Sequence, residues 1–292
     1  MVRWLDDPIV ATNMHLRLMS RTDIPAGMRL KDIAGWNQTP ADWERFLRAS
    51  PAGCFVAEAE GKVVGTATTI VYEGRFAWIG MVLVDPDYRG RGIGTRLLEK
   101  TIEHLDACRV PTMKLDATPQ GKTIYEKLGF VTEYEIERWT LKRAPGAATV
   151  TAESPAPDLE RILSADREVF GADRGDLLRS LDGDAPEFTL TTSMPGYLTG
   201  YALGRRGSRA DHLGPWMARD EASARDLLDR FLRCSGRETI FVDCLKENPC
   251  ARQLVRSRSF EFSRPLTRMY RGPNTHPGQP ELLCAALGPE FG

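Results

Sequence analysis

Residues 77–84, AWIGMVLV, form an almost wholly apolar run, followed after Asp85-Pro86-Asp87-Tyr88 by Arg89-Gly90-Arg91-Gly92-Ile93-Gly94. A strand that apolar is buried on both faces and belongs in the middle of a covered sheet. From Ile93 to Cys108 the apolar positions Ile93, Leu97, Leu98, Ile102 and Leu105 recur at helical spacing. Strand, glycine turn and helix in that order commit the chain to a mixed α/β organisation. The alternating glycines let successive backbone N–H groups point into one concavity. The helix start adds unpaired donors and a partial positive charge, and Arg89 and Arg91 add full charges at the rim. Such a loop suits a diphosphate.

Two other phosphate motifs fail on spacing. A dinucleotide fingerprint needs GxGxxG within a βαβ repeat, whereas here Gly90, Gly92 and Gly94 alternate and no such repeat follows. Gly121-Lys122-Thr123 resembles the end of a Walker A loop, but Asp116 stands where its first glycine is required.

The elements around the loop read as one compact domain. MHLRLMS alternates like a strand, and helices follow over Ile24–Ile33 and Pro40–Ala49. CFVAEAEGKVVGTATTIVYEG reads as a hairpin turning at Glu60-Gly61-Lys62. After the loop helix come a strand (TMKLDAT), a short helix (TIYEKLGF) stopped by Gly129, and a closing strand (FVTEYEIERWTL). The segment 142–157 is rich in Ala, Pro, Thr and Ser and reads as a linker. The second half repeats the plan, and YEKLGFVTEYEIERW is echoed by VRSRSFEFSRPLTRMY. An internal duplication follows. The expected division is 1–141, linker 142–157, 158–272, and a peripheral tail 273–292 with a helical turn or two around Glu281–Leu287.

Charge and composition exclude several classes. With 39 basic and 40 acidic residues the net charge is -1, which argues against a nucleic-acid or membrane-surface binder. No apolar run reaches the roughly 20 residues of a membrane span, and MVRWLDDPIV places acids where a signal peptide has its apolar core. A cytoplasmic protein is expected. The six cysteines form no CxxC pair, so reduced structural thiols and no metal site are expected.

Residues 82–94 resemble motif A of the GNAT superfamily of N-acetyltransferases, [Q/R]xxGx[G/A], with Arg89, Gly92 and Gly94 in its places. The resemblance covers about residues 14–140, and the second half resembles a degenerate copy. It implies two tandem GNAT folds, each a mixed, mostly antiparallel central sheet flanked by helices. It also implies acetyl-CoA as co-substrate, its pantetheine arm paired with Val82, Leu83 and Val84 and its diphosphate on Arg89, Gly90, Arg91, Gly92, Ile93 and Gly94.

By the same resemblance Tyr125, in the Y-E-x-L-G-F motif, would protonate the leaving thiolate, although a core aromatic on a short helix reads the same way. The backbone N–H of Leu83 or Val84 would polarise the thioester carbonyl. Where many members have an Asn before the Tyr helix, this chain has Thr118-Pro119-Gln120-Gly121. Asp116 is the candidate general base and equally a helix cap. Trp36 and Asn37, between the first two helices, are candidate substrate contacts and equally a buried Trp with a turn residue. The second half has Ala218-Arg219-Asp220-Glu221 in place of the glycine loop and should bind no second CoA. Its expected task is to wall the acceptor site, with His212 or Trp216 facing it. The expected function is acetyl transfer to a primary amine of a small molecule or peptide, with a non-catalytic acyl-CoA sensor or a protein N-acetyltransferase as alternatives.

Overall fold

The computed structural model describes residues 14–144 and 158–292, with twelve strands and eight α-helices among them. From residue 145 on, the expected linker lies outside the described residues. Two compact units are present. One comprises residues up to Ile70 together with Ile79–Arg109, the other Val71–Trp78 together with Val110–Gly292.

The first unit contains β1 (Met14–Leu18), α1 (Ile24–Ile33), α2 (Pro40–Ala49), β2 (Phe55–Ala59), most of β3 (Lys62–Tyr72), the second half of β4 (Phe76–Val84) and α3 (Ile93–Ala107). β1, β2, β3 and β4 are neighbours in that order, and the β2–β3 turn carries positive φ at Glu60 and Gly61. One face of α3 is buried through Ile93, Leu97, Leu98, Thr101, Ile102 and Leu105. Ile93 and Leu97 join Phe55, Ala57, Ala59, Val64 and Ala67 in one apolar cluster. Each of the larger side chains among them, Ile93, Leu97, Phe55 and Val64, contributes about 1.5–3 kcal/mol on burial.

The second unit continues with β5 (Met113–Ala117), α4 (Pro119–Lys127), β6 (Val131–Lys142), α5 (Leu159–Phe170), α6 (Gly175–Asp184), β7 (Leu190–Met194) and β8 (Tyr197–Arg206). It ends with β9 (Asp211–Ala218), α7 (Glu221–Cys234), β10 (Thr239–Leu245), α8 (Pro249–Ser257), β11 (Glu261–Arg271) and β12 (Leu283–Ala285). Its strands lie in the order β5-β11-β6-β10-β12-β9-β8-β7. α7 starts at Asp220, whose carboxylate accepts the Ser223 N–H at 2.8 Å, and buries Ala224, Leu227, Leu228 and Phe231 at helical spacing.

The order β5-β11-β6-β10 is an exchange. β11, the last strand of the second repeat, pairs antiparallel with β5 of the first, and β6, the last strand of the first, pairs antiparallel with β10 of the second. Buried ion pairs fix both registers. Arg268 stands opposite Asp116, with Nε and Nη2 donating to its two oxygens at 2.8 and 2.9 Å. Arg138 stands opposite Asp243 in the same bidentate way, at 2.7 and 2.6 Å. The exchange explains why the compact units do not divide at the linker: β5, α4 and β6 are knit into the second repeat.

The tail departs from expectation in part. One helical turn is present, a 3-10 turn over Pro280–Leu282, but residues 283–285 then form β12, and Leu283 through Leu287 are at most 4% exposed and so not peripheral. Leu-Leu-Cys-Ala-Ala is apolar enough to serve as helix or strand, and the partners β9 and β10 decide.

Removing one member of a buried bidentate pair strands the other charge, whereas replacing both with apolar groups removes that penalty. Arg268→Met should therefore destabilise the protein by about 3–5 kcal/mol, and Arg268→Met with Asp116→Leu should recover most of that loss. Denaturant midpoints of the two variants check this.

Candidate functional site

β4 changes character halfway along. Met81 has φ of 52°, the left-handed region, and follows Gly80. Two carbonyls at this point of β4 accept from side chains, those of two buried threonines of β3. Thr66 Oγ1 donates to Met81 O at 2.7 Å and Thr68 Oγ1 to Gly80 O at 3.1 Å. On its other side β4 pairs in parallel with β5 at Ala77 and Trp78 only. Val82 and Val84 are half-buried beyond that point, with Leu83 buried between them.

Asp85 ends the strand and caps the following turn, accepting the Asp87 N–H at 3.1 Å. Arg29 of α1 holds the same carboxylate at 2.5 Å and donates to Val63 O at 3.0 Å. That guanidinium keeps the Asp85 carboxyl below its usual range. The start of the glycine loop is thereby tied to α1.

The loop backbone turns through positive φ at Gly90 (76°) and Gly92 (72°), and Gly92 is the N-cap of α3. A Cβ at either glycine would project into open space. The first helical bond runs from Arg96 N–H to Gly92 O at 3.0 Å. Among the described residues, no acceptor serves the amides of Gly90, Arg91, Gly92, Ile93, Gly94 or Thr95. This is a run of outward donors at the positive end of a fifteen-residue helix. Arg89 Nε donates to Val84 O at 3.1 Å, and Arg91 Nη2 donates to Asp87 O at 3.0 Å while the guanidinium lies over the Tyr88 ring. Both arginines are exposed. The close approach of β3 to this helix needs Gly65, where a Cβ would meet Leu97, Ile93 and the carbonyl of Leu83.

Tyr125 lies on α4 in the second unit, half-buried, with its ring edge-on to Phe130 at 6.1 Å. Gly121 makes room for that ring, since a Cβ there would stand 2.9 Å from it. Burial pushes the phenol pKa up to about 12, and among the described residues its hydroxyl has no hydrogen-bond partner. The phenol therefore keeps its proton at neutral pH.

Asp116 is no such group. Its side chain is 1% exposed, burial pushes its carboxyl up against the pull of Arg268, and both oxygens are occupied by that guanidinium. This is a structural ion pair, and Thr118, not Asp116, caps α4. His212 and Trp216 do not face an acceptor: both are fully buried in the second unit. His212 lies 3.2 Å from Asp243, and Trp216 packs in the apolar core with Phe231 and Leu228. Burial holds the His212 pKa below its usual value. In the α1–α2 connection Trp36 is half-buried, its backbone N–H donating to Lys31 O at 2.9 Å, while Asn37 is 2% exposed.

Thr66, Thr68 and Arg29 escaped the sequence reading. Polar residues at alternate positions of an apolar strand were a signal for the first two; the Arg29–Asp85 contact, across 56 positions, left none. The described cysteines are free, with Cys54, Cys244 and Cys284 buried.

Residues 27–130 match the acetyltransferase (GNAT) family and residues 162–284 an acetyltransferase (GNAT) domain. The chain is 26% identical over 194 residues to the holothin acyltransferase of Pseudoalteromonas sp. (strain SANK 73390), a match covering 64% of this chain and 63% of that protein. It therefore spans less than two thirds of that relative. It is 30% identical over 126 residues to an acetyltransferase of Pectobacterium atrosepticum, covering 41% of this chain and 89% of that protein. In fold it is similar to the crystal structure of a putative acetyltransferase from Pyrococcus horikoshii, with a TM-score of 0.77, 23% identity and 96% of both chains covered. With two matched GNAT regions, the first of them containing the glycine loop at the start of α3, the chain belongs to the GNAT family of acetyltransferases, in tandem form.

Proposed function

We propose that the protein transfers an acetyl group from acetyl-CoA directly to a primary amine of a small molecule or peptide. The observation that carries this reading is the run of unpaired amides from Gly90 to Thr95 at the start of α3. A diphosphate bears enough oxygens to accept from several of them at once, and the helix dipole favours its charge. Arg89 and Arg91, now resting on carbonyls of their own loop, would turn to the phosphates with little rearrangement. The arm of the cofactor extends along Val82–Val84, where β4 has no ladder with β5.

The chemistry then needs few groups. A neutral amine attacks the thioester carbonyl, a C–N bond forms, and the Leu83 or Val84 N–H stabilises the developing oxyanion. As the tetrahedral centre collapses, the C–S bond breaks and the thiolate takes the Tyr125 hydroxyl proton. The amine gives up its proton to water, and the phenol is restored from solvent. Asp116 takes no part, being held by Arg268. Trp36 is the proposed acceptor contact on the α1–α2 connection, with buried Asn37 shaping the turn behind it.

Gly92→Asp introduces a side chain at a left-handed position and a negative charge where the diphosphate binds. Calorimetric titration with acetyl-CoA should show at least a ~100-fold loss of affinity with folding retained, since each 1.4 kcal/mol is tenfold. Unchanged affinity would refute the loop assignment. Tyr125→Phe should lower kcat by about 10²–10³ in a thiol-release assay, with KM for acetyl-CoA nearly unchanged. Because the phenol pKa is about 12, its proton is retained throughout pH 6–10. An alkaline loss of rate in that window that vanished in Tyr125→Phe would mean that the phenol ionises there, against the raised pKa; a flat profile with an undiminished kcat in Tyr125→Phe would contradict its role as proton donor.

A further inference from the structure

β9 and β10 of the second repeat correspond to β4 and β5 of the first: each is a parallel pair whose first strand leads into a long helix and whose second leads into a short one. β9 and β10 pair at Asp211–Ile240, His212–Phe241 and Leu213–Val242, and then part. Parallel strands that part leave facing rows of N–H and C=O groups, which must find another partner. β12 is that partner. It runs antiparallel to both, with Ala285 opposite Cys244 of β10 and Trp216 of β9, and Leu283 opposite Met217. The Ala286 N–H adds a bond to Asp243 O at 3.0 Å. Among the described residues no strand stands in the corresponding place beside β4, which has β5 as its next neighbour.

The groove is built to receive backbone. A Cβ on Gly214 would run into the Ala286 carbonyl, so only glycine admits the segment this closely. Beyond β12, the Glu290 carboxylate pairs with Arg205, and both side chains are at most 3% exposed. Three side chains then grip the main chain: Trp78 Nε1 donates to Pro289 O at 2.9 Å, Tyr72 Oη to Phe291 O at 2.8 Å, and Arg174 Nη1 to Gly292 O at 2.7 Å. Arg174 is itself held by Asp166 at 2.8 and 2.9 Å. At the start of α7 the Ser223 amide is already taken by the Asp220 carboxylate, and the acidic Asp220 and Glu221 stand where a phosphate would have to approach.

We propose that the groove between β9 and β10 is a binding site for an extended apolar peptide, filled in cis by residues 283–292 at the position that the first repeat leaves to the arm of acyl-CoA. The comparison with the first repeat rests on the function proposed above; the peptide site itself does not. The second repeat thus carries its own ligand, and the chain binds one acyl-CoA.

Deleting residues 281–292 tests this, with a synthetic peptide ELLCAALGPEFG supplied in trans. The truncated protein should melt at least ~10 °C lower, and the peptide should restore the melting temperature saturably, as a ligand of the folded state does. Unchanged melting, or no response to peptide by a folded truncated chain, would overturn the proposal. Should the truncated chain not fold, Gly214→Ala in the full chain isolates the same contact. Cys284, 2% exposed, should then be alkylated at least ~10-fold faster, read by peptide mass spectrometry, while buried Cys54 stays protected. Equal protection of Cys284 in both proteins would sink the idea. Titration of the intact chain with acetyl-CoA separates the two readings. One equivalent supports both, two equivalents overturn the filled groove, and none overturns the transferase reading alone.

Discussion

The exchange of last strands between the repeats is the constraint on which the second unit depends. β6 and β11 lie side by side, and each reaches across to the other repeat's parallel strand. Backbone ladders alone tolerate slippage; a buried Arg–Asp pair does not, because a one-residue shift would leave both charges unpaired in a dry interior. The chain applies this device twice, at Arg268–Asp116 and Arg138–Asp243. The two arginines occupy matching places in the echoed segments YEIERW and RPLTRM. The duplication is therefore written into the registers as well as into the element order.

The two parallel strand pairs show how one backbone problem is met in different ways. Beside β4 the ladder with β5 stops after Trp78, and the strand runs into a glycine loop whose amides have no acceptor among the described residues. Beside β9 the gap is filled by β12, and the following helix start is capped by Asp220. The first repeat thus leaves a run of helix-start donors open among the described residues, whereas in the second Asp220 takes the Ser223 amide. Acidic residues at the α7 start complete the difference electrostatically.

Within the first unit, the site is held by local bonds that serve no other evident purpose. Thr66 and Thr68 donate to the carbonyls of Met81 and Gly80, where the backbone passes through the left-handed region, so these acceptors are paired. Arg29 ties Asp85, the first residue of the loop region, to α1. The glycine loop and α1 thus share a fixed reference point.

The sequence by itself determined what depends on neighbours in the chain. The buried strand AWIGMVLV, the alternating glycines, the helical spacing from Ile93 to Leu105 and the repeat of the plan were all readable, because periodicity and backbone freedom are local properties. The loop's position and its donor character followed from them. Only the tertiary structure decided Asp116, which as a carboxylate at a strand end read as base or cap until Arg268, 152 positions away, proved to occupy it. His212 and Trp216 turned out to be core for the same reason. The last segment was the furthest from legible: Leu283–Ala285 has no periodicity of its own, and the gap between β9 and β10 that makes it a strand exists only once both are in place.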